Sequence, residues 1–282
     1  MAKTTTTRTD RTTMPANGTA NGAANRAAGT TALGRLAALG RAELTLLIRN
    51  RTALTVALVM PLVMVFAIQT SLERLDLEKV GMSLAEASLT AGIGMVLIMV
   101  VHVNLVSAYT ARREELVLKR LRTGEISDPE ILAGTALPAV GIALAQCVLL
   151  VVAGTVAMDL AAPARPDLLL AGIVLGVLVC VALAAVTSAV TRTVESAQIT
   201  TMPMFLISLG GSGLLVPVSL MPDGMARICE LLPLTGVMTL IRAGWLGGAD
   251  GRDLAVAAIG ALVWAAVSVF AVQRWFRWEP RR

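Results

Sequence analysis

The chain has 282 residues, 56% of them hydrophobic and 15% charged, with a mean hydropathy of +0.74. Soluble domains carry about 25% charged residues, so these charges cannot clothe a water-soluble core of this size, whereas a bilayer removes the need for polar cover. The net charge of +5 does not point to nucleic acid, because the basic residues sit between apolar runs and form neither a stacking platform nor a basic stripe.

Residues 1–30 are rich in Thr, Ala, Asn and Gly and lack an apolar run, which predicts a disordered cytoplasmic tail rather than a secretory signal. Over Thr31–Arg49 the apolar residues Leu33, Leu36, Ala37, Gly40, Leu44, Leu47 and Ile48 recur at helical spacing. Arg35, Arg41 and Arg49 lie off that stripe, and Glu43 belongs to the same helix. The pattern predicts an amphipathic helix lying at the membrane interface.

Six apolar stretches follow, each long enough for the roughly 20 residues a spanning helix needs. They are 52–71, 89–110, 131–158, 168–190, 199–220 and 254–272. The expected fold is therefore all-α: a six-span domain over 31–282 preceded by the tail. Pro61, Pro138, Pro203 and Pro217 fall within or near these spans, where neighbouring helices compensate the lost hydrogen bond. Gly172 and Gly176 form a GxxxG pair suited to close helix packing.

Orientation follows from the basic residues. Of the 24 Lys and Arg, 18 lie on the side shared by both termini and 6 on the other, which makes both termini cytoplasmic. Only Lys3, Lys79 and Lys119 are lysines; with abundant Ala, Val and Gly this suggests a GC-rich bacterial genome and hence a bacterial plasma membrane. Between the last two spans, Met221–Asp253 is too short and interrupted to cross twice. It reads as a pair of short helices dipping into the outer leaflet, with Arg242 reaching for the headgroups, or as an ordinary surface helix.

Chemical motifs are sparse. The sequence has no G-x-x-x-x-G-K-[ST], so it brings no ATPase site of that type, and neither H-E-x-x-H nor C-x-x-C occurs. Cys147, Cys180 and Cys229 show no metal-ligand or disulfide spacing, and the single histidine, His102, makes a His-based zinc site unsuitable. Gly211-Ser212-Gly213 resembles the G-x-S-G of intramembrane serine proteases, a chemistry that needs a base within reach of Ser212. His102 and Asn104 form an intramembrane polar pair, read as a substrate path or proton relay on one hand and as interhelical hydrogen bonding on the other.

The most informative stretch is Arg112-Arg113-Glu114-Glu115-Leu116-Val117-Leu118-Lys119-Arg120-Leu121-Arg122. Acids precede bases, which suits the helix macrodipole, and Glu115 and Lys119 stand at i, i+4. Val117, Leu118 and Leu121 share one helical face. Charge alone fits a solvated linker, but the apolar stripe points to a docking surface for a cytoplasmic partner.

In order and motif the chain resembles the ABC-2 type permeases, including drug-resistance exporters of the daunorubicin type. An Arg-bearing surface helix leads into a Pro-containing first span. Arg113-Glu114-Glu115 through Thr123 is similar to the family's E-E-G-T-L-x-x-L-x-x-T-P segment, with Leu116-Val117 in place of Gly-Thr and Gly124-Glu125 in place of the proline. Gly213 to Pro217, Met221-Pro222 and Leu232-Pro233-Leu234 through Ile241-Arg242 resemble its outer segment.

The resemblance implies a permease subunit without its own ATPase, paired with a second permease, itself or a relative, and with two separate ABC ATPase subunits. Those subunits would use ATP and Mg, while this chain binds no cofactor and no metal. Arg113, Glu114, Glu115, Leu118, Lys119, Arg120, Leu121 and Arg122, with the helix over 33–49, would contact the ATPase. The implied activity is efflux of a hydrophobic drug-like or lipid-like substrate, and so antibiotic resistance. Two readings from other classes stand beside it: an intramembrane hydrolase using Ser212, and a proton-coupled carrier using His102.

Overall fold

The computed structural model describes residues 59–60, 63–70, 82–116 and 128–275. The tail 1–30, the helix expected over 31–49 and most of the first span lie outside them; of that span, 59–60 and 63–70 are helical. We call 63–70 α1. Then follow α2 (Leu84–Glu114), α3 (Asp128–Ala157), α4 (Pro166–Val190), α5 (Val194–Gly211), α6 (Asp223–Glu230), α7 (Thr235–Leu246) and α8 (Gly251–Trp275). No strand occurs among the described residues.

Local chemistry sets where these helices begin. Ser83 caps α2 in a capping box: its hydroxyl accepts from the Glu86 amide at 3.2 Å, and its own amide donates to Glu86 Oε2 at 2.8 Å. Thr193 and Ser196 form the same arrangement at the start of α5, and Pro166 opens α4 at a position where its missing N–H costs nothing. α3 has 30 residues, about 45 Å at the helical rise, so it tilts or extends past a hydrocarbon core of about 30 Å.

Four of the helices, α2, α3, α4 and α8, are long and apolar enough to cross a membrane. Their roles differ. In α2 72% of the apolar stretch is buried inside the bundle, against 28% in α3 and α8, so α2 is the central post and the other two are peripheral. The outward faces repeat at helical spacing: Val148, Val152 and Val156 on α3, and Val256, Ile259, Val263 and Phe270 on α8. Such continuous apolar faces are what lipid covers.

Lipid is as apolar as leucine, so helix contact in a bilayer depends on van der Waals fit and favours small residues. The bundle shows this along α7. A Cβ on Gly236 would lie 2.2 Å from the Ala257 carbonyl oxygen of α8, and one on Gly244 would lie 2.4 Å from the Leu169 amide of α4. The GxxxG pair faces the same seam: Gly172 abuts Ile241, and Gly176 abuts Val237 of α7 and Leu97 of α2. Where α7 ends, Ala164 and Arg165 amides donate to the Trp245 and Gly244 carbonyls at 3.1 and 2.9 Å.

The predicted fifth span, 199–220, needs correction. The helix starts earlier, at Val194, and stops at Gly211; a turn-rich stretch and a single 3-10 turn, Val218–Leu220, complete it. Gly213, at φ +72°, and Pro217 end a helix that hydropathy alone would continue. Next, α6 and α7 meet at a 99° bend. α7 finishes beside the start of α4.

Candidate coupling site

The last two turns of α2 gather the polar contacts that hold one end of the bundle. Tyr109 Oη donates to the Leu132 carbonyl of α3 at 3.1 Å, and Arg112 Nη1 donates to Thr135 Oγ1 at 3.2 Å. Arg113 is 1% exposed. Its Nη1 donates to the Ser188 carbonyl at 2.8 Å and its Nη2 to the Thr191 carbonyl at 2.5 Å. Both acceptors belong to the C-terminal turn of α4, whose carbonyls have no helical partner and whose dipole favours a cation.

One residue on, the polarity is reversed. Glu114 Oε1 accepts from the Val194 amide at 3.2 Å, an anion on the positive end of α5. Thr191 and Thr200 hydroxyls pair at 2.8 Å across the α4–α5 link. The last two turns of α2 thus fasten it to α3, α4 and α5, and the charged segment from Glu115 onward springs from that fastening. Leu116 closes α2 at φ +58°, with its amide donating to the Arg113 carbonyl at 3.1 Å. This is the left-handed terminus that glycine favours, at the position where the E-E-G-T-L pattern has its glycine.

The expected coupling residues therefore divide. Arg113 is turned into the bundle onto two carbonyls at the end of α4. Glu114 is tied to α5, while Glu115 and Leu116 are exposed. Leu118, Lys119, Arg120, Leu121 and Arg122 lie outside the described residues, as do Arg35, Arg41, Glu43 and Arg49. Sequence reasoning missed Thr135, Ser188, Thr191 and Val194. Backbone carbonyls and amides leave no residue-type signature, although the short Thr191-Arg192-Thr193 link marks where two helix ends meet.

The intramembrane polar pair also separates. His102 is completely buried in a π-helical stretch of α2, Leu97–Val103, while Asn104 is exposed. Residues two apart on a helix point to nearly opposite sides, so the two do not share a path. The His102 imidazole faces the Cys180 backbone of α4, and the buried Ser212 hydroxyl has no hydrogen-bond partner among the described residues.

At the opposite end of the bundle, Arg242 of α7 points inward rather than to the headgroups. Its Nη2 donates to the Gly213 carbonyl just past the end of α5. α7 is packed face-on against α4 and α8, which directs this side chain toward the broken end of α5.

The family model described as "ABC-2 type transporter" matches residues 35–246. The chain belongs to the ABC-2 type transporter family. No curated protein matches it. The chain is thus the membrane permease component of an ABC transporter and a multi-pass membrane protein. The match covers α2 through α7 together with the segments outside the described residues, so the fastening at the end of α2 is part of the permease proper.

Proposed function

We propose that this permease is the membrane pathway of an exporter, moving a hydrophobic drug-like or lipid-like molecule outward across a bacterial plasma membrane. The observation that carries the reading is the fastening of α2 to α3, α4 and α5 immediately before the charged segment. A force applied there by a cytoplasmic partner reaches three membrane helices at once. The partner is an ABC ATPase subunit, which uses ATP and Mg, and it docks on Glu115, Leu118, Lys119, Arg120, Leu121 and Arg122 with the helix over 33–49. Both termini lie in the cytoplasm. A second permease, identical or related, completes the pathway. In this scheme Arg113 and Glu114 position the docking segment rather than touch the ATPase.

The hydrophobic cargo is supported by the make-up of the described spans. Their Asp and Glu residues are confined to the helix ends, leaving shape and dispersion as the means of recognition. The test is to purify the tagged chain in mild detergent from its host and look for a stoichiometric P-loop ATPase. Inverted vesicles are then assayed for ATP-dependent uptake of a lipophilic fluorescent dye. Co-purification and uptake, both lost on Lys119→Glu/Arg120→Glu, are expected. Failure to find an ATPase in several detergents, with uptake driven by a proton gradient instead, would overturn the reading in favour of the His102 carrier.

A further inference from the structure

Three of the helices tied together at the Arg113 end lose their regular backbone hydrogen bonding at one level of the bundle. α2 passes through the π-helical stretch Leu97–Val103, where amides reach five residues back instead of four. α3 contains Pro138 and α5 contains Pro203, each well inside its helix. A proline brings no amide, so the Gly134 and Ile199 carbonyls receive no helical donor from these positions, and each ring crowds the preceding turn. Prolines and π turns are the two commonest physical causes of a sharp helix bend.

The ties between helices fix these levels. Tyr109 bonds to Leu132, and Gly154 near the far end of α3 abuts Leu89, so α3 runs back beside α2. From the Tyr109 bond, Pro138 is six residues along α3 and Val103 six residues back along α2, about 9 Å in each case at the helical rise. Glu114 bonds to the Val194 amide. From that bond Pro203 is nine residues along α5 and Val103 eleven residues back, about 13 and 16 Å, which differ by less than one turn. α3 and α5 both pack on the π stretch. Each side of the level is firmly held. On one side stand the bonds of Tyr109, Arg112, Arg113 and Glu114. On the other, a Cβ on Gly154 would lie 2.9 Å from Leu89, and one on Gly94 would lie 2.6 Å from Leu214 and Met238. Of the four tied helices, α4 alone crosses the level as a regular α-helix with no proline in its interior.

We infer that this level is a hinge: the tied ends of α2, α3 and α5 swing together as one block against the rest of the bundle, with α4 as the continuous strut joining the two parts. The hinge is read from the helices themselves. Only its driving force, a partner acting on the charged segment, rests on the proposed coupling. A bend of about 20°, the size at which a helix kink counts as sharp, displaces a residue about 13 Å from the break by roughly 5 Å sideways. Pro129 stands nine residues from Pro138, at about that distance.

The test measures distances between spin labels in the full chain in nanodiscs, with Cys147, Cys180 and Cys229 replaced by alanine. One pair, Pro129→Cys with Glu195→Cys, lies within the block. The other, Pro129→Cys with Val269→Cys, joins the block to α8, which stands outside it. All three labelled positions are exposed. No ATPase is present, so the result does not depend on the docking reading. The pair reaching α8 should give a distance distribution broader than the pair within the block by roughly 5 Å, the sideways travel of a bend of about 20°. Pro138→Ala/Pro203→Ala combined with deletion of Val100, which takes one residue out of the π stretch, should narrow it to the width of the pair within the block. If the deletion prevents folding, Pro138→Ala/Pro203→Ala alone should remove part of the excess. Equal widths for the two pairs before any hinge change, or an excess that these variants leave untouched, would overturn the hinge.

Discussion

Two arginines sit at opposite ends of this permease, each against the terminal carbonyls of a helix, and they are used differently. Arg113 is sealed in the bundle, with Nη1 and Nη2 both on α4 carbonyls, and the neighbouring Glu114 answers it on the amide end of α5. Arg242 holds a single carbonyl past the end of α5 and keeps donors without partners. A buried cation that completes two helix ends is structural. One that leaves a donor over holds its helix end by a single bond.

Substitution should expose that contrast most sharply at the Arg113 end. Arg113→Met strands the Ser188 and Thr191 carbonyls, and with each stranded polar group costing about 1–3 kcal/mol a loss of about 3 kcal/mol is expected. Arg242→Met removes an unneutralised buried charge and replaces it with an apolar chain of similar length. It also strands the single Gly213 carbonyl, a cost of about 1–3 kcal/mol that loss of the unneutralised charge partly offsets, so its stability should fall by about 1 kcal/mol or less. Thermal unfolding of both purified variants checks this, and equal losses would break the distinction.

If Arg242 does not hold its end of the bundle, packing must hold it. Gly236→Ala forces a methyl onto the Ala257 carbonyl, a backbone atom that cannot rotate away. Overpacking of this kind costs about 1–3 kcal/mol. An unchanged melting temperature for Gly236→Ala would show that the seam between α7 and α8 is looser than its geometry indicates.

A smaller effect of opposite sign is expected at Leu116. Its φ of +58° costs a residue with a Cβ about 1–2 kcal/mol, part of which the greater entropy of an unfolded glycine offsets. Leu116→Gly should therefore raise stability by about 0.5 kcal/mol, read as a rise in melting temperature. A fall would mean that the left-handed turn is not kept in the membrane. The smallest change in stability belongs to Lys119→Glu/Arg120→Glu, within about 0.5 kcal/mol as for most surface substitutions. Transport activity should nonetheless be lost, which separates residues that fasten from residues that dock.

Much of this architecture is readable from hydropathy, since α2, α3, α4 and α8 coincide with long apolar runs that have no other use in water. The end of α5 is not readable that way. Leu214, Leu215 and Val216 keep the hydropathy high after Gly213 has already turned the chain. The separation of His102 from Asn104 was present in their spacing, because two residues along a helix turn the side chains apart. The fastening at Arg113 was hidden for a different reason: its partners are main-chain carbonyls brought close from 75 and 78 residues away.

The contacts of Gly236 and Gly244 also bear on how the chain is made. α7 has 12 residues, about 18 Å at the helical rise, too short to hold a place across a bilayer alone. Its two flanking surfaces come from α4, synthesised before it, and α8, synthesised after it. Until α8 enters the membrane, one side of α7 faces lipid through a bare glycine backbone. The hairpin is thus the last part of the bundle to find its seat, and a nascent chain halted before Gly251 would present α7 to whatever insertion machinery guards unfinished membrane proteins.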